Sequence, residues 1–182
     1  MFSSLTGRSR TIASTGARTA ELVAELRAGA RIAVVSDAGM PGISDPGSFL
    51  VKAAIEAGVN VVPVPGANAA LSALIASGLN TDEFLFLGFL PPKTSARRTR
   101  LQAVAEKLEG PLTLVIYEAP HRIRESLEDI VEVLGGSRHT VIAREVTKLH
   151  EEFLRGRADE LLEVSRSREL KGEITLLIAK AE

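Results

Sequence analysis

RIAVVSDAGMPGISDPG (residues 31–47) and VVPVPGAN (residues 61–68) are the two stretches that decide the fold this sequence predicts. In each stretch a short run of β-branched residues ends in a loop of glycine, proline and small residues, and a helix-forming segment follows. A buried parallel strand that ends in such a loop and continues as a helix is how open α/β sheets build ligand sites. We therefore expect strands at residues 31–36 and 59–64 whose ends lie side by side and form the floor of one ligand site.

The two loops favour a ligand that contains adenosine but no phosphate. Neither loop matches the G-x-G-x-x-G or G-x-x-x-x-G-K-[ST] pattern, so the sequence gives no support for a nucleotide-phosphate cradle. The segment Ala38-Gly39-Met40 is difficult to explain as a simple turn, and glycine allows backbone groups to approach a ligand closely. Residues 67–70 are nearly all small, which suits either close helix–sheet packing or room for a flat adenine or ribose.

Composition excludes several classes of site. With 182 residues and 45% hydrophobic content, the chain is long enough for a core, and a net charge of −1 does not call for nucleic acid or membrane binding. The absence of cysteine excludes disulfides, zinc–thiolate sites and cysteine nucleophiles, and it suits a reducing cytoplasm. No apolar run approaches the length of a membrane span. One tyrosine, no tryptophan and six phenylalanines leave few aromatic side chains for base stacking, so nucleic-acid contact would depend on arginine and lysine.

Alternating helix and strand patterns predict an α/β fold of two domains, at residues 1–80 and 81–182. We expect a parallel sheet in the first domain and a mixed sheet in the second, because the later strands follow one another closely. Residues 1–20 contain several arginines and no acid, which resembles a transit peptide; an irregular start or a strand remnant at residues 11–14 is the alternative. The remaining elements are helices at 19–28, 48–57, 67–77, a segment ending at 108, 123–134 and 158–165, and strands at 84–90, 112–117, 139–144, 152–156 and 173–180.

Three polar segments of the second half are candidates for substrate contact. Residues 93–100, KTSARRTR, contain four positive charges and no acid, which is typical either of a solvated helix face or of a surface that binds RNA phosphates. His121 and Arg122 follow a predicted strand end, and residues 143–152 form an unusually polar connection between strands. No second histidine lies at ligand spacing from His150, so we expect no metal site.

From about residue 19 to the end, these motifs together resemble one family, the ribosomal RNA small subunit methyltransferase I proteins of the tetrapyrrole methylase superfamily. The opening strands of that family, with a Pro-x-Gly-Asn loop, have no counterpart in residues 1–18, so the resemblance suggests a chain shortened at its front. Met40 and Asn68 stand where relatives often have threonine and serine. The motifs that match are SDAGMPGISDPG, VPVPGANAALSALIASGL, GFLPPK, YEAPHR, AREVTKLHEEFLRG and KGEITLLI.

The resemblance implies a two-domain tetrapyrrole methylase-like fold, a homodimer, and S-adenosyl-L-methionine held in the cleft between the domains. It also implies 2′-O-methylation of a cytidine in small-subunit ribosomal RNA, in the cytoplasm and away from membranes. The positions that match the cofactor contacts of the superfamily are Ala38, Gly39, Met40, Ile43, Asn68, Ala69, Glu118 and Ala143.

Transfer from an activated methyl donor requires mainly that the two reactants are placed correctly and that one proton is removed. Lys148, Glu118 and Glu145 are our candidates for orienting or deprotonating the ribose hydroxyl. The candidates for binding RNA phosphates are Lys93, Arg97, Arg98, Arg122 and Arg144. Two alternatives stay open: a methylase of a small tetrapyrrole acid, and a non-catalytic fragment that binds RNA or a protein partner.

Overall fold

A computed structural model of the chain describes residues 16–45, 47–107 and 112–179. The chain divides into two compact units, Met1–Ala67 and Asn68–Glu182. The predictions for residues 1–15, a transit-like composition or a strand remnant, lie outside the described residues. In the described part of the chain, no helix is both long enough and apolar enough to span a membrane.

The first unit contains two helices that pack on each other, α1 (Gly16–Arg27) and α2 (Ser48–Glu56). Both lie where the sequence predicts helices. Leu22 of α1 and Leu50 and Ala54 of α2 are buried, as expected for apolar residues at helical spacing.

The two strands predicted in the first unit, at residues 31–36 and 59–64, are not paired. In the described part of the unit, these residues form no ladder of backbone hydrogen bonds. Val35, Val62 and Val64 are 74%, 71% and 80% exposed. Their β-branched side chains favour extended backbone, but a strand also needs a partner with which to exchange hydrogen bonds. The parallel sheet predicted for this half is therefore not formed by the described residues.

The described part of the second unit is built on a five-stranded sheet with four helices. Its elements, in chain order, are α3 (Ala69–Ser77), β1 (Phe84–Phe89), α4 (Thr94–Lys107), β2 (Thr113–Glu118), α5 (Ile123–Leu134), β3 (His139–Arg144), β4 (Glu152–Arg157), α6 (Ala158–Ser167) and β5 (Ile174–Ala179). The strands lie in the order β1-β2-β5-β3-β4. Strands β1 and β2 are parallel, and every other neighbouring pair is antiparallel, so the predicted mixed sheet is confirmed.

Both faces of this sheet are covered by helices. Ile116 of β2 and Leu176 of β5 point to one face, where they pack with residues of α4, α5 and α6 such as Leu127. Their neighbours Val115 and Leu177 point to the other face and pack against α3. Alternation along each strand therefore gives the sheet two apolar layers, one on each face.

Helix α3 belongs to the second unit, although the sequence analysis assigned it to the first domain. Ala70, Ala73 and Leu74 of α3 are buried against the sheet of the second unit. Small side chains allow the helix to lie close to the strands, which agrees with the packing interpretation of residues 67–70. The units accordingly divide between Ala67 and Asn68 rather than after residue 80.

Candidate active site

The candidate site of the second unit lies at one edge of its sheet. Strands β1 and β2 are parallel, and β3 runs in the same direction because both β2 and β3 are antiparallel to β5. The carboxyl ends of β1, β2 and β3 therefore meet at one edge, where the segment that precedes β5 also lies. Carboxyl ends of strands are the usual position of ligand sites in open α/β sheets.

One row of side chains crosses the whole sheet close to this edge. The strand register pairs Phe89 with Tyr117, Tyr117 with Thr175, Thr175 with Ala143 and Ala143 with Phe153. Directly paired residues point to the same face, so these five side chains lie on the face that α3 covers. The row places aromatic side chains on both sides of a buried centre formed by Thr175 and Ala143.

The first turn of α3 is held over this row. The Asn68 side chain accepts a hydrogen bond from the Leu71 amide at 3.0 Å, which is a favourable N-terminal cap. The Ala70 amide donates to the Tyr117 hydroxyl at 3.2 Å. Burial raises the pKa of Tyr117, so the phenol stays protonated at neutral pH. The predicted cofactor residues Asn68 and Ala69 therefore lie on a fixed helix start.

The loop after β3 has a strained backbone. Glu145 and Thr147 have positive φ angles of 49° and 66°, which non-glycine residues rarely adopt. The Thr147 amide donates to the Glu151 carboxylate at 2.6 Å, and the Glu173 amide donates to the Glu145 carboxylate at 2.7 Å. Strain of this kind persists only where neighbouring groups impose it, and it is concentrated at functional sites.

This loop holds Lys148 between two carboxylates. The Lys148 ammonium is 3.0 Å from Glu173 and 3.3 Å from Glu145, and its side chain is still partly exposed. Hydrogen bonding to Glu173 and to Glu145 raises the pKa of Lys148. The hydrogen bond from the Glu173 amide lowers the pKa of Glu145. Both shifts favour the charged forms, so Lys148 is a fixed cation rather than a base at neutral pH.

Glu118 does not have the accessibility that a catalytic carboxylate needs. It is buried and accepts hydrogen bonds from the Ala119 amide at 2.8 Å and from the Ser126 hydroxyl. These bonds tie the loop after β2 to α5. Ala143 is buried as well, so neither of these two predicted cofactor contacts offers surface to a ligand, because both lie inside the sheet and its covering helices.

Arg122 braces the loops after β1 and β2. Its guanidinium donates to the Leu90 and Pro91 carbonyl oxygens at 2.9 and 3.2 Å. Its Nε lies 3.4 Å from the Glu118 carboxylate, close enough for charge attraction, yet without an aligned hydrogen bond. These contacts give Arg122 a structural role, while its contact with RNA stays a prediction.

The structure places the side chain of Arg97, another predicted RNA contact, in the interior of the second unit. Its side chain is 0% exposed, and its Nε lies 2.5 Å from the Asp129 carboxylate of α5. Arg98 shares the other oxygen of Asp129 at 2.6 Å and also pairs with Glu132. The two arginines therefore join α4 to α5 and have little charge left for phosphates.

Two cations of the same segment remain open to solvent. Lys93 and Arg100 are exposed, and neither forms an ion pair with any other residue that the structure describes. Arg144, by contrast, donates to the Lys171 carbonyl at 3.0 Å and pairs with Glu152 at 3.2 Å. Of the five predicted phosphate contacts, Lys93 is therefore the one that has no ion pair in the described part of the chain and whose charge is available to a phosphate. Arg100 is not among the predicted contacts, but it is exposed and without a described ion pair in the same way.

In the first unit, the two loops predicted to be neighbours do lie against each other. A Cβ atom added to Gly39 would lie 3.5 Å from the Ala67 carbonyl oxygen, and one added to Gly66 would lie 3.8 Å from Cγ of Met40. Gly39 has a φ of 72°, which suits glycine. Ala38, Gly39 and Ile43 are exposed, so their backbone groups are accessible to a ligand.

The sequence of the chain matches the family described as Tetrapyrrole (Corrin/Porphyrin) Methylases over residues 4–162. The chain belongs to this family. The match spans most of both units, including the loops of the first unit and the carboxyl ends of β1, β2 and β3 in the second. The α/β fold with a mixed sheet is accordingly a tetrapyrrole methylase fold.

Its sequence relatives are named Ribosomal RNA small subunit methyltransferase I. The protein of Halalkalibacterium halodurans is 50% identical over 157 residues, which is 86% of this chain and 53% of that protein. The Synechocystis protein is 49% identical over 90% of this chain and 58% of its own length. The Escherichia coli O157:H7 protein is 48% identical over 86% of this chain and 54% of its own length. The chain therefore spans about half the length of the curated relatives it matches.

Solved structures support the fold. The methyltransferase CobJ superposes with a TM-score of 0.65 at 23% identity, covering 90% of this chain and 70% of that one. Diphthine synthase superposes with a TM-score of 0.64 at 15% identity, covering 91% of this chain and 65% of that one. Uroporphyrin-III C-methyl transferase from Thermus thermophilus, complexed with S-adenyl homocysteine, superposes with a TM-score of 0.58 at 18% identity. The superposition covers 88% of this chain and 70% of that one.

Proposed function

We propose that this chain acts in the S-adenosylmethionine-dependent 2′-O-methylation of a cytidine in small-subunit ribosomal RNA. Relatives at 48 to 50% identity are named for methylation of this RNA. The structural observation that best supports the proposal is the fixed ammonium of Lys148 at the carboxyl edge of the sheet, held by Glu145 and Glu173.

The residues present fit S-adenosylmethionine. In the first unit, the loop at Ala38, Gly39, Met40 and Ile43 offers small side chains and accessible backbone groups beside a second small-residue loop. Such loops let backbone N–H and C=O groups approach a ligand closely. The assignment of Asn68 and Ala69 of the second unit to the cofactor rests on the family resemblance alone, and Glu118 and Ala143 of that unit are buried.

When bound, S-adenosylmethionine supplies a methyl group on a positively charged sulfur, so the protein has mainly to place an oxygen nucleophile in line with it. We assign this placement to Lys148, whose ammonium donates a hydrogen bond to the ribose 2′-oxygen and stabilises the negative charge that develops there. Glu145 and Glu173 hold Lys148 in position. The lowered pKa of Glu145 makes it a weak acceptor for the hydroxyl proton, so we assign it to positioning Lys148, and the hydroxyl proton passes to solvent water as the methyl group is transferred to the oxygen.

RNA binding would use the two open cations after β1, Lys93 and Arg100. Phosphate contacts position a nucleic acid and give affinity that depends on salt. Arg144 acts indirectly, since it donates to the His150 carbonyl at 3.3 Å and thereby supports the loop of Lys148. A homodimer and a cytoplasmic location are further proposals, which rest on the family resemblance.

Calorimetric titration with S-adenosylmethionine separates the enzyme from a non-catalytic fragment. We expect saturable heat with S-adenosylmethionine and with S-adenosylhomocysteine, because both molecules share the adenosyl group to which we assign the loop at residues 38–43. Adenosine triphosphate is the matched control, and it should give no heat because neither loop is a phosphate cradle. A chain that binds RNA but gives no heat with either cofactor form would favour the non-catalytic alternative.

A further inference from the structure

Strand β1 contains a bulge that changes the direction of one aromatic side chain. Phe86 pairs with Val115, but Gly88, rather than the residue at position 87, pairs with Ile116. Gly88 has a φ of 63°, a conformation that favours glycine. Because of this extra residue, Phe89 pairs with Tyr117 and points to the face covered by α3. Without the bulge, position 89 would point to the opposite face, into the main core.

The ring of Phe89 is supported on one side and open on the other. Its centroid lies 5.8 Å from that of Tyr117, with an angle of 56° between the rings. Tyr117 in turn packs edge-on against Phe86 at 4.9 Å, and its hydroxyl is fixed by the Ala70 amide. Phe89 is nevertheless 54% exposed. The sheet thus presents a pre-positioned aromatic surface at its carboxyl edge.

This arrangement has a cost that burial would avoid. A bulge interrupts the hydrogen-bonded ladder, and a half-exposed phenylalanine loses part of the stabilisation that full burial gives. Bulges are conspicuous next to active sites, where they redirect a side chain. A ring kept exposed at such a cost is suited to a partner with a flat face.

We propose that Phe89 is a stacking surface for an unstacked nucleobase of the RNA substrate. The proposal rests on the proposed function, and it names the part of the RNA, a base outside a stack, that the ring would bind. Aromatic side chains bind splayed bases of single-stranded RNA by stacking, largely without regard to sequence. Lys93, in the loop that follows Phe89, and Arg100 of α4 are the open cations available for the phosphate contacts of such a strand.

The test measures the affinity of small-subunit RNA by filter binding at fixed salt for F89A, F89W and F84A. Phe84 is the matched control, because it lies on the same strand and face and is 40% exposed, but at the opposite end of β1. We expect F89A to weaken RNA binding about tenfold without changing its salt dependence or the calorimetric affinity for S-adenosylmethionine. F89W should restore the affinity, and F84A should leave it unchanged.

Each other outcome overturns the proposal. If wild-type protein binds and methylates the RNA but F89A does so equally well, the stacking role fails and the proposed function stands. Equal losses for F89A and F84A would indicate a general apolar effect. A change in oligomeric state with unchanged RNA affinity would assign the ring to a protein contact. If the wild-type chain binds no small-subunit RNA, the proposed function fails and the stacking role fails with it.

Discussion

Replacing Asp129 with alanine should lower the free energy of unfolding by about 3 to 5 kcal/mol. Its carboxylate is buried between α4 and α5, where it accepts hydrogen bonds from Arg97 at 2.5 Å and from Arg98 at 2.6 Å. Arg97 is fully buried, so the substitution leaves its guanidinium with only the Pro92 carbonyl at 3.2 Å and more distant groups. The measurement is urea denaturation followed by circular dichroism.

The matched control is Glu132→Gln. Glu132 also pairs with Arg98, but its side chain is 58% exposed, so solvent weakens the ion pair. We expect this variant to lose about 1 kcal/mol or less. If Asp129→Ala were no more destabilising than Glu132→Gln, Arg97 would not depend on this pairing, and its assignment to structure rather than to RNA would be wrong.

Replacing Gly172 with alanine should disrupt the loop that holds Lys148. An added Cβ would overlap a carboxylate oxygen of Glu145 and would lie 2.5 Å from Cδ and Cγ of the same side chain. The backbone at Gly172 also has a φ of 86°, which costs a non-glycine residue about 1 to 2 kcal/mol. Glu145 must move, and Lys148 then loses one of its two carboxylate partners. We expect methyl transfer to fall about 100-fold, the scale on which catalytic misplacement acts.

Two further variants separate the contact with Glu145 from backbone strain. Gly78 has a φ of 81°, and a Cβ added to it would meet no atom within 4 Å. Gly78→Ala therefore introduces backbone strain without a clash, and it should keep its activity. The double variant Gly172→Ala/Glu145→Ala removes the clash, so its stability should recover to that of Gly78→Ala while its activity stays low. Wild-type activity in Gly172→Ala would show that the position of Glu145 does not matter for the reaction.

The second unit could be predicted closely because each of its elements has a local signal. Apolar residues at helical spacing indicate α5, which lies at the predicted residues 123–134 and buries Leu127 and Ile130. Closely spaced strand patterns indicated the mixed sheet, and the glycine and proline loops of the first unit are neighbours as expected. Local periodicity determines such features, and they need no knowledge of distant partners.

The features that the sequence analysis missed depend on partners far along the chain. Arg97 belongs to a run of positive charge, and its burial depends on Asp129, 32 residues later. The position of the Glu145 side chain depends on the space that Gly172, 27 residues later, leaves for it. The direction of Phe89 depends on a bulge, which shifts the side-chain alternation by one position and which no local pattern reveals. Residues 31–36 and 59–64 have the side chains of strands, but local composition cannot supply a partner strand for them.

The most direct test is to incubate the chain with S-adenosylmethionine and small-subunit ribosomal RNA, and to map ribose methylation at single-nucleotide resolution. The account predicts a new 2′-O-methyl group at one cytidine, which Lys148→Ala should abolish while the calorimetric affinity for S-adenosylmethionine is retained. Methylation of a tetrapyrrole acid with none in the RNA would contradict the account. Undiminished RNA methylation by Lys148→Ala would contradict the role given to that residue.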